Sequence, residues 1–554
     1  MHPPVVLSAP RLHSPAQTGD PTITLAPPDL IVLVTYVVVV IAFGCWFIRK
    51  SGTSDEFMAA GGSLPGWAVG MSIFGTYLSS NTFLGNPGKA YGGNFNAYLF
   101  TLSLPLAVWI AAKYFVPFYR KHGQISAYQH LEDRFGLWAR TYAMLCYLLT
   151  QIARVGTIMF GVAIGLHALT DWDVTTIIMA TGFLVTLYTL LGGIEAVIWT
   201  DVIQSIVLMG GALLIFGMLI FSMPEGPTQA WAIAKHAGKM ELGSWDIDPT
   251  QSTVWVMLLF GLFINLTNFG IDQSFVQRYH TASSEQEAKR AVWLGAFMYV
   301  PISLLFFFIG AALFAYYETQ PGLLDEVRQT VAAQNSVDMA TLKAADIGDR
   351  VLPHFIATKL PPGLAGLLIA AIFAAAMSSI DTSLNSSATV ILKDLYQRYC
   401  KPEVKEREAM YVLRIATIAI GFIGTMTALL LIGQKSILDA WWLLQGVFSG
   451  GMLGLFLLGI MTRHANAVSG LIAIMVGVSV IGWMTLSPKT DALPDMLRNP
   501  LHANLTIVVG TITIFLTGLL ISRLANPVSA PSSNTELEKP LETKLKEPGE
   551  AGPE

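Results

Sequence analysis

Thirteen stretches of this chain are each long and apolar enough to cross a lipid hydrocarbon layer, and that fact excludes most other folds. A helix needs about 20 predominantly apolar residues to do so. The stretches are 30–49, 64–88, 95–118, 139–167, 174–191, 196–222, 253–276, 288–317, 362–393, 410–434, 438–461, 466–486 and 503–522, designated spans 1 to 13. Backbone groups inside lipid must be paired within the protein, and segments of this length achieve that as helices. Only 13% of the residues are charged, against roughly 25% in a soluble domain. The sequence therefore predicts an all-α polytopic membrane protein of about 13 transmembrane helices over residues 29–525. Residues 1–28, rich in Pro, Ser and Thr, read as an extracellular or periplasmic flexible tail. Residues 526–554 are rich in Pro, Glu and Lys and read as a disordered cytoplasmic tail. A net charge of −4 suggests no nucleic-acid partner, and Cys45, Cys146 and Cys400 lie too far apart for metal-ligand spacing.

Basic residues set the orientation. Arg49 and Lys50 follow span 1, and Arg120, Lys121, Arg134 and Arg140 follow span 3. Arg278, Lys289 and Arg290 follow span 7, and Lys393, Arg398, Lys401, Lys405 and Arg407 follow span 9. These loops alternate with poorer ones, so the basic side is read as cytoplasmic, with the N-terminus outside and the C-terminus inside a plasma or inner membrane. The loops 223–252 and 318–361 then lie outside, and the second, partly helical, is a candidate lid.

Two spans look interrupted. Span 2 carries Gly70, Gly75, Ser79, Ser80, Asn81 and Thr82; span 7 carries Asn265, Thr267, Asn268, Gly270 and Asp272. They lie five spans apart. Broken helices at matching positions of two five-helix halves point to an inverted-repeat transporter, with repeats over about 64–222 and 253–461. The alternative is that small residues only let helices pack closely.

Span 9 contains "FAAAMSSIDTSLNSSATVILKDLY", residues 373–396. Ser378, Asp381, Thr382 and Asn385 recur on one helix face. A charged residue at the centre of a span costs roughly 2.5–3.5 kcal/mol, so Asp381, Arg154 in span 4 and Asp201 in span 6 all call for a function. Hydroxyls and carboxylates are hard oxygen donors suited to a small cation such as Na+, with carbonyls from a broken helix completing its shell. The competing reading is that these Ser and Thr residues bond back to carbonyls of their own helix.

With "LLGGIEAVIWTDVIQ", "DQSFVQR", "ISAYQHLEDRFG" and "LPPGLAGLLIAAIFAAAMSS", the chain resembles the sodium:solute symporter family, which includes sodium–galactose, sodium–proline and sodium–sialic acid transporters. The resemblance, over roughly residues 55–465, implies a LeuT-like five-plus-five inverted repeat in spans 2–11. It implies Na+ as coupling ion, bound by carbonyls of Gly75, Leu78 and Ala375 and hydroxyls of Ser378 and Ser379. It further implies a second Na+ site at Asp201 with Ser378 and Thr382. Asp381 stands where relatives often have Ser. It strengthens that site, carries a proton, or is neutralised by Arg154. Tyr77 replaces an Asp of the sodium–proline members, so a proline-type assignment loses support.

The solute is expected between spans 2 and 7, at Tyr77, Ser79 and Thr82 of span 2, Asn268 and Gln273 of span 7, and Gln445 of span 11. Arg154 resembles the carboxylate-binding Arg of the sialic acid transporters. A guanidinium grips a carboxylate through two parallel hydrogen bonds. The expectation is a symporter for a small hydroxylated acid such as a sialic acid or sugar acid. The alternatives are a Na+-coupled neutral-sugar or monocarboxylate symporter, a proton-coupled symporter using Asp201 and Asp381, or an Arg154 that only ties a helix-end carbonyl or Asp381. Neither HExxH nor GxSxG occurs, so the chain is not read as an enzyme, and His167 and His354 are read as solvated or capping.

Overall fold

The computed structural model describes residues 26–47, 52–123, 125–170, 172–320, 322–335, 337–434, 437–462, 464–490 and 493–525. Residues 1–25 and 526–554 of the two expected tails, and Arg49 and Lys50, lie outside the described residues. All thirteen spans are helical. Eleven are helices apolar and long enough to cross a membrane unaided. The other two are the broken span 2 and the short Val174–Leu190 of span 5. Span 1 is Pro27–Trp46, so two prolines assigned to the tail instead open the first helix, where a missing N–H is harmless. Spans 5 and 6 run together as Val174–Phe221 with a sharp bend at Gly193, whose φ of 61° favours glycine.

Span 2 consists of Gly66–Tyr77 and Ser80–Gly92, separated by extended backbone at Leu78 and Ser79. Span 7 consists of Val254–Ile271 and Gln273–Thr281, separated at Asp272 (φ −75°, ψ 124°). The second break is made by an N-cap: Asp272 Oδ1 accepts from Ser274 N–H at 2.8 Å and from the Ser274 hydroxyl.

Span 9, Leu364–Val390, continues in π-helical winding over Ile391–Cys400. It packs against the span 5–6 helix, spans 1, 4 and 10 and the first half of span 2, and is buried along nearly its whole length. Much of its polarity is met internally. Thr382, Ser383, Ser386 and Thr389 each donate to the carbonyl four residues back, at 2.7–3.0 Å. Ser378 and Ser379 do not follow that pattern.

Basic residues gather at one end. Arg120 donates to Tyr279 O and Ala282 O at 3.1 and 2.9 Å. Arg140 pairs with Asp394 at 2.6 Å, and Glu132 receives both Arg140 and Arg398. Arg278 is a correction: the sequence placed it in this loop set, yet it is buried in the bundle. The opposite end carries helices Pro227–His236 and Ala344–Lys359. The second lies in the loop read as a lid and packs on Ser80–Gly92. His354 on this lid is buried and bonded to Tyr317 OH at 2.9 Å rather than solvated, whereas His167 meets Trp172 O at 2.9 Å.

Span 1 braces span 9. Asp29 Oδ1 accepts from Gly363 N–H and Gly366 N–H at 2.6 and 2.7 Å, capping the start of the ion-binding candidate helix. Asp29→Ala is expected to cost about 1–2 kcal/mol, read as a lowered melting temperature of the detergent-purified protein. Asp29→Asn, which keeps the acceptor oxygen, is expected to lower it less.

Candidate functional site

The break in span 2 frees the carbonyls at the end of Gly66–Tyr77, since the last turn of a helix has no partners of its own. Thr76 O is taken from two sides. Arg154 Nη2 of span 4 donates to it at 2.5 Å, and Ser379 Oγ of span 9 at 3.2 Å. Beside it, Ser378 Oγ is buried with no hydrogen-bond partner among the described residues. Gly75 is what lets the two helices meet. A β-carbon there would fall 2.7 Å from Ser205 Oγ and 3.1 Å from Ser378 Oγ. Ser378 and Ser379 thus face the end of the first half of span 2, at Gly75 and Thr76, with Leu78 at the break and Ala375 buried one turn back on span 9.

The next layer is a buried ion pair. Arg278, from the second half of span 7, donates Nη2 to Asp201 Oδ2 at 3.0 Å, Thr76 Oγ1 at 2.7 Å and Thr382 Oγ1 at 2.6 Å. Its Nε donates to Ser72 Oγ at 2.8 Å, and Ser72 in turn bonds Asp201. One guanidinium thus ties spans 2, 6, 7 and 9. Asp201 Oδ1 has no partner among the described residues and lies next to Ser378. Asp381 does not join Arg154, and its oxygens bond elsewhere than those of Asp201 and Thr382. Its Oδ2 accepts from Tyr188 OH at 2.7 Å and its Oδ1 from Thr382 N–H at 2.6 Å. Neighbouring residues on a helix point about 100° apart, so Thr382 reaches Arg278 while Asp381 reaches span 5.

A cavity of about 60 Å³ lies at the two breaks. Five of the seven residues expected around the solute line it: Tyr77, Ser79, Arg154, Asn268 and Gln445. Gln445 Nε2 donates to Asn268 Oδ1 at 2.9 Å across the cavity. Tyr77 packs edge-on to Tyr299, ring centroids 4.5 Å apart, and its hydroxyl bonds Asn265. The other two do not line it. Gln273 spends its amide on the backbone, accepting from Ala127 N–H at 2.7 Å and donating to Ile125 O at 2.7 Å. Thr82 is buried away from the cavity lining. The sequence reading also missed Asp272, held by Gln151 Nε2 at 3.1 Å, and the aromatic wall of Phe100, Phe275, Trp441 and Trp442. The Asp-X-Ser cap signal at 272–274 pointed to the first; nothing distinguished the aromatics from ordinary apolar residues.

Residues 57–477 match the model of the sodium:solute symporter family. The Proteus mirabilis sodium/sialic acid symporter SiaT is 36% identical over 489 residues, 87% of this chain and 94% of that protein. The Aliivibrio fischeri sodium/sialic acid symporter NanT is 35% identical, covering 82% of this chain and 87% of its own. The human sodium-coupled monocarboxylate transporter 1 is 28% identical, covering 86% and 76%. A solved structure of a Na+-coupled sialic acid symporter, substrate-bound and outward-open, superposes with a TM-score of 0.79 at 33% identity, over 90% of this chain and 98% of that one. Mhp1, a nucleobase–cation symporter at 13% identity, shares the fold with a TM-score of 0.52 over 86% of this chain and 96% of its own.

The Arg278–Asp201 pair gives a direct test of the cluster. Removing one partner of a buried pair costs about 3–5 kcal/mol because the other charge is left uncompensated. Arg278→Gln is therefore expected to lower the melting temperature sharply, and the double variant R278Q/D201N to recover part of the loss.

Proposed function

The chain belongs to the sodium:solute symporter family, and from that premise we propose that it couples inward Na+ flow to uptake of a hydroxylated carboxylate, a sialic acid or similar sugar acid. One observation carries the solute class. Arg154 lines the cavity at the two helix breaks and, among the described residues, makes one hydrogen bond, from Nη2 to Thr76 O, so a planar fork of donors remains to grip a carboxylate. Asn268 and Gln445 bring amides, and Ser79 a hydroxyl, for the solute's own hydroxyls. Two relatives above 30% identity carry sialic acid in their names, and the human relative's monocarboxylate is again an acid.

In this reading residues 64–222 and 253–461 are the two inverted repeats, and the protein sits in the plasma or inner membrane with its basic end cytoplasmic. Na+ enters first, at Ser378, Ser379 and the carbonyls of Gly75, Leu78 and Ala375. A second Na+ binds between Asp201 Oδ1 and Ser378 Oγ, with Thr382 behind. Ion binding bridges spans 2 and 9 and fixes Thr76 O, which in turn fixes Arg154. The solute binds, the outer side closes, and the site opens to the cytoplasm, where low Na+ favours release.

The energetics favour two ions. One charge moving through 100 mV supplies about 2.3 kcal/mol, and a tenfold gradient about 1.4 kcal/mol. A monoanion carried with one Na+ moves no net charge and forfeits the electrical share. A second cation restores it.

Arg154→Ala is expected to lower uptake of sialic acid into proteoliposomes by about 10–100-fold, the worth of a lost charge-assisted pair of bonds, with Arg154→Lys intermediate. Binding of a neutral sugar, where any is measured, stays unchanged. Ser378→Ala is expected to raise the Na+ concentration needed for half-maximal uptake. Undiminished acid uptake by the Arg154→Ala protein discards the carboxylate reading.

A further inference from the structure

We propose that Asp349 is the clasp of the outer gate, tying the lid helix Ala344–Lys359 to the start of span 11. The inference rests on the transport reading above and concerns how the solute cavity is closed.

Span 11, Ile437–Met461, supplies Leu438, Trp441 and Trp442 to the solute cavity. Trp442 also lines a second, larger space of about 480 Å³ on the lid side, so its ring is the partition between them. Phe100 stacks on that ring at 5.6 Å and Phe260 meets it edge-on at 5.3 Å. The inner cavity, about 60 Å³, has room for a few water molecules, each needing roughly 10–15 Å³ of such space. A sugar acid does not fit until a wall moves, and the wall facing the outside is span 11.

The start of span 11 is held by the lid. Ile437 N–H, the first of that helix, donates to Asp349 Oδ2 at 2.9 Å. The lid helix is in turn keyed to the second half of span 2. A β-carbon on Gly88 would lie 2.5 Å from Asp349 Oδ1, and one on Gly348 would lie 2.6 Å from Gly88 O. Lid, broken span and span 11 therefore meet at one carboxylate. The Lys89–Asp439 ion pair alongside, 2.5 Å, is 30% and 55% exposed, and an exposed pair contributes little.

The charged groups around Asp349 are Lys89 of span 2, Asp439 of span 11 and Arg350 on its own helix. Burial pushes the Asp349 carboxyl up to about 6. The closed arrangement thus binds a proton more tightly than an open, solvated one. Closure is favoured as pH falls through about 6, and the ionised carboxylate loosens the gate above it.

The test is thiol labelling, which needs no solute. In the full chain with Cys45, Cys146 and Cys400 changed to Ser and Ile158→Cys in the solute cavity wall, a membrane-impermeant thiol reagent is added to intact cells. Asp349→Asn keeps the acceptor and removes the charge; Asp349→Ala removes both. D349A is expected to label about fivefold faster than D349N, the effect of losing a helix cap. G88A, which wedges the lid away, is expected to move in the same direction and carries the comparison if D349A does not reach the membrane. The rate ratio of the Asp349 protein to D349N is expected to rise from near unity below about pH 4 to a several-fold plateau above about pH 6. Equal labelling of D349A, G88A and D349N overturns the proposal, as does a ratio independent of pH. Gating as expected with no uptake of any acid overturns the transport reading and leaves the clasp standing.

Discussion

The carbonyl oxygen of Thr76 has no partner in its own helix, and the core of the molecule is arranged around that deficiency. A helix that ran on through Leu78 would use this oxygen internally. Because span 2 stops there, Arg154 and Ser379 meet at one atom. One belongs to the proposed solute site and the other to the proposed ion site. Occupying either site alters the geometry of an acceptor that the other shares. Coupling then needs no long relay, only a two-sided contact whose equilibrium both ligands bias.

The next constraint is charge. Asp201, Asp381 and Arg278 are all buried, and only one guanidinium stands against two carboxylates. Arg278 is committed to Asp201, Ser72, Thr76 and Thr382, so its position depends on four spans at once. Ser72 and Thr76 sit one turn apart on the first half of span 2. The same guanidinium that compensates Asp201 therefore also fixes the half-helix whose end carries the carbonyls of the proposed ion site.

Much of this was legible in the sequence, because lipid leaves few alternatives. Runs of about 20 apolar residues marked the spans, and clustered Asn, Ser and Asp marked both breaks. The Ser378–Ser379 pair was singled out by the family resemblance alone, and the structure supplies a physical distinction. Four of its polar neighbours satisfy themselves within the helix, whereas these two do not. What stayed hidden was direction. Arg278 sits at the end of an apolar run and reads as a loop cation, yet its partner lies 77 residues away on another helix. Gln273 follows the break in span 7 and reads as a solute ligand, yet its amide is spent on a loop nearly 150 residues earlier. Sequence spacing assigns a residue to a helix face, but which neighbour that face meets is a property of the packed bundle.

The parts outside the ten-helix core are also tied to its working elements. Span 1 caps the start of span 9 through Asp29, and the lid caps the start of span 11 through Asp349. Both are carboxylates supplied from elsewhere in the chain to helix N-termini that would otherwise expose unpaired N–H groups. The two differ in what surrounds them. Asp29 meets two backbone amides on one element, an arrangement that holds a helix in place. Asp349 lies where three elements converge, among Lys89, Asp439 and Arg350, and the proposed gate opens by separating them. In the proposed reading the same chemical device serves as a fixed anchor at the candidate ion-binding helix and as a releasable one at the gate, and the difference comes from the neighbours rather than from the residue.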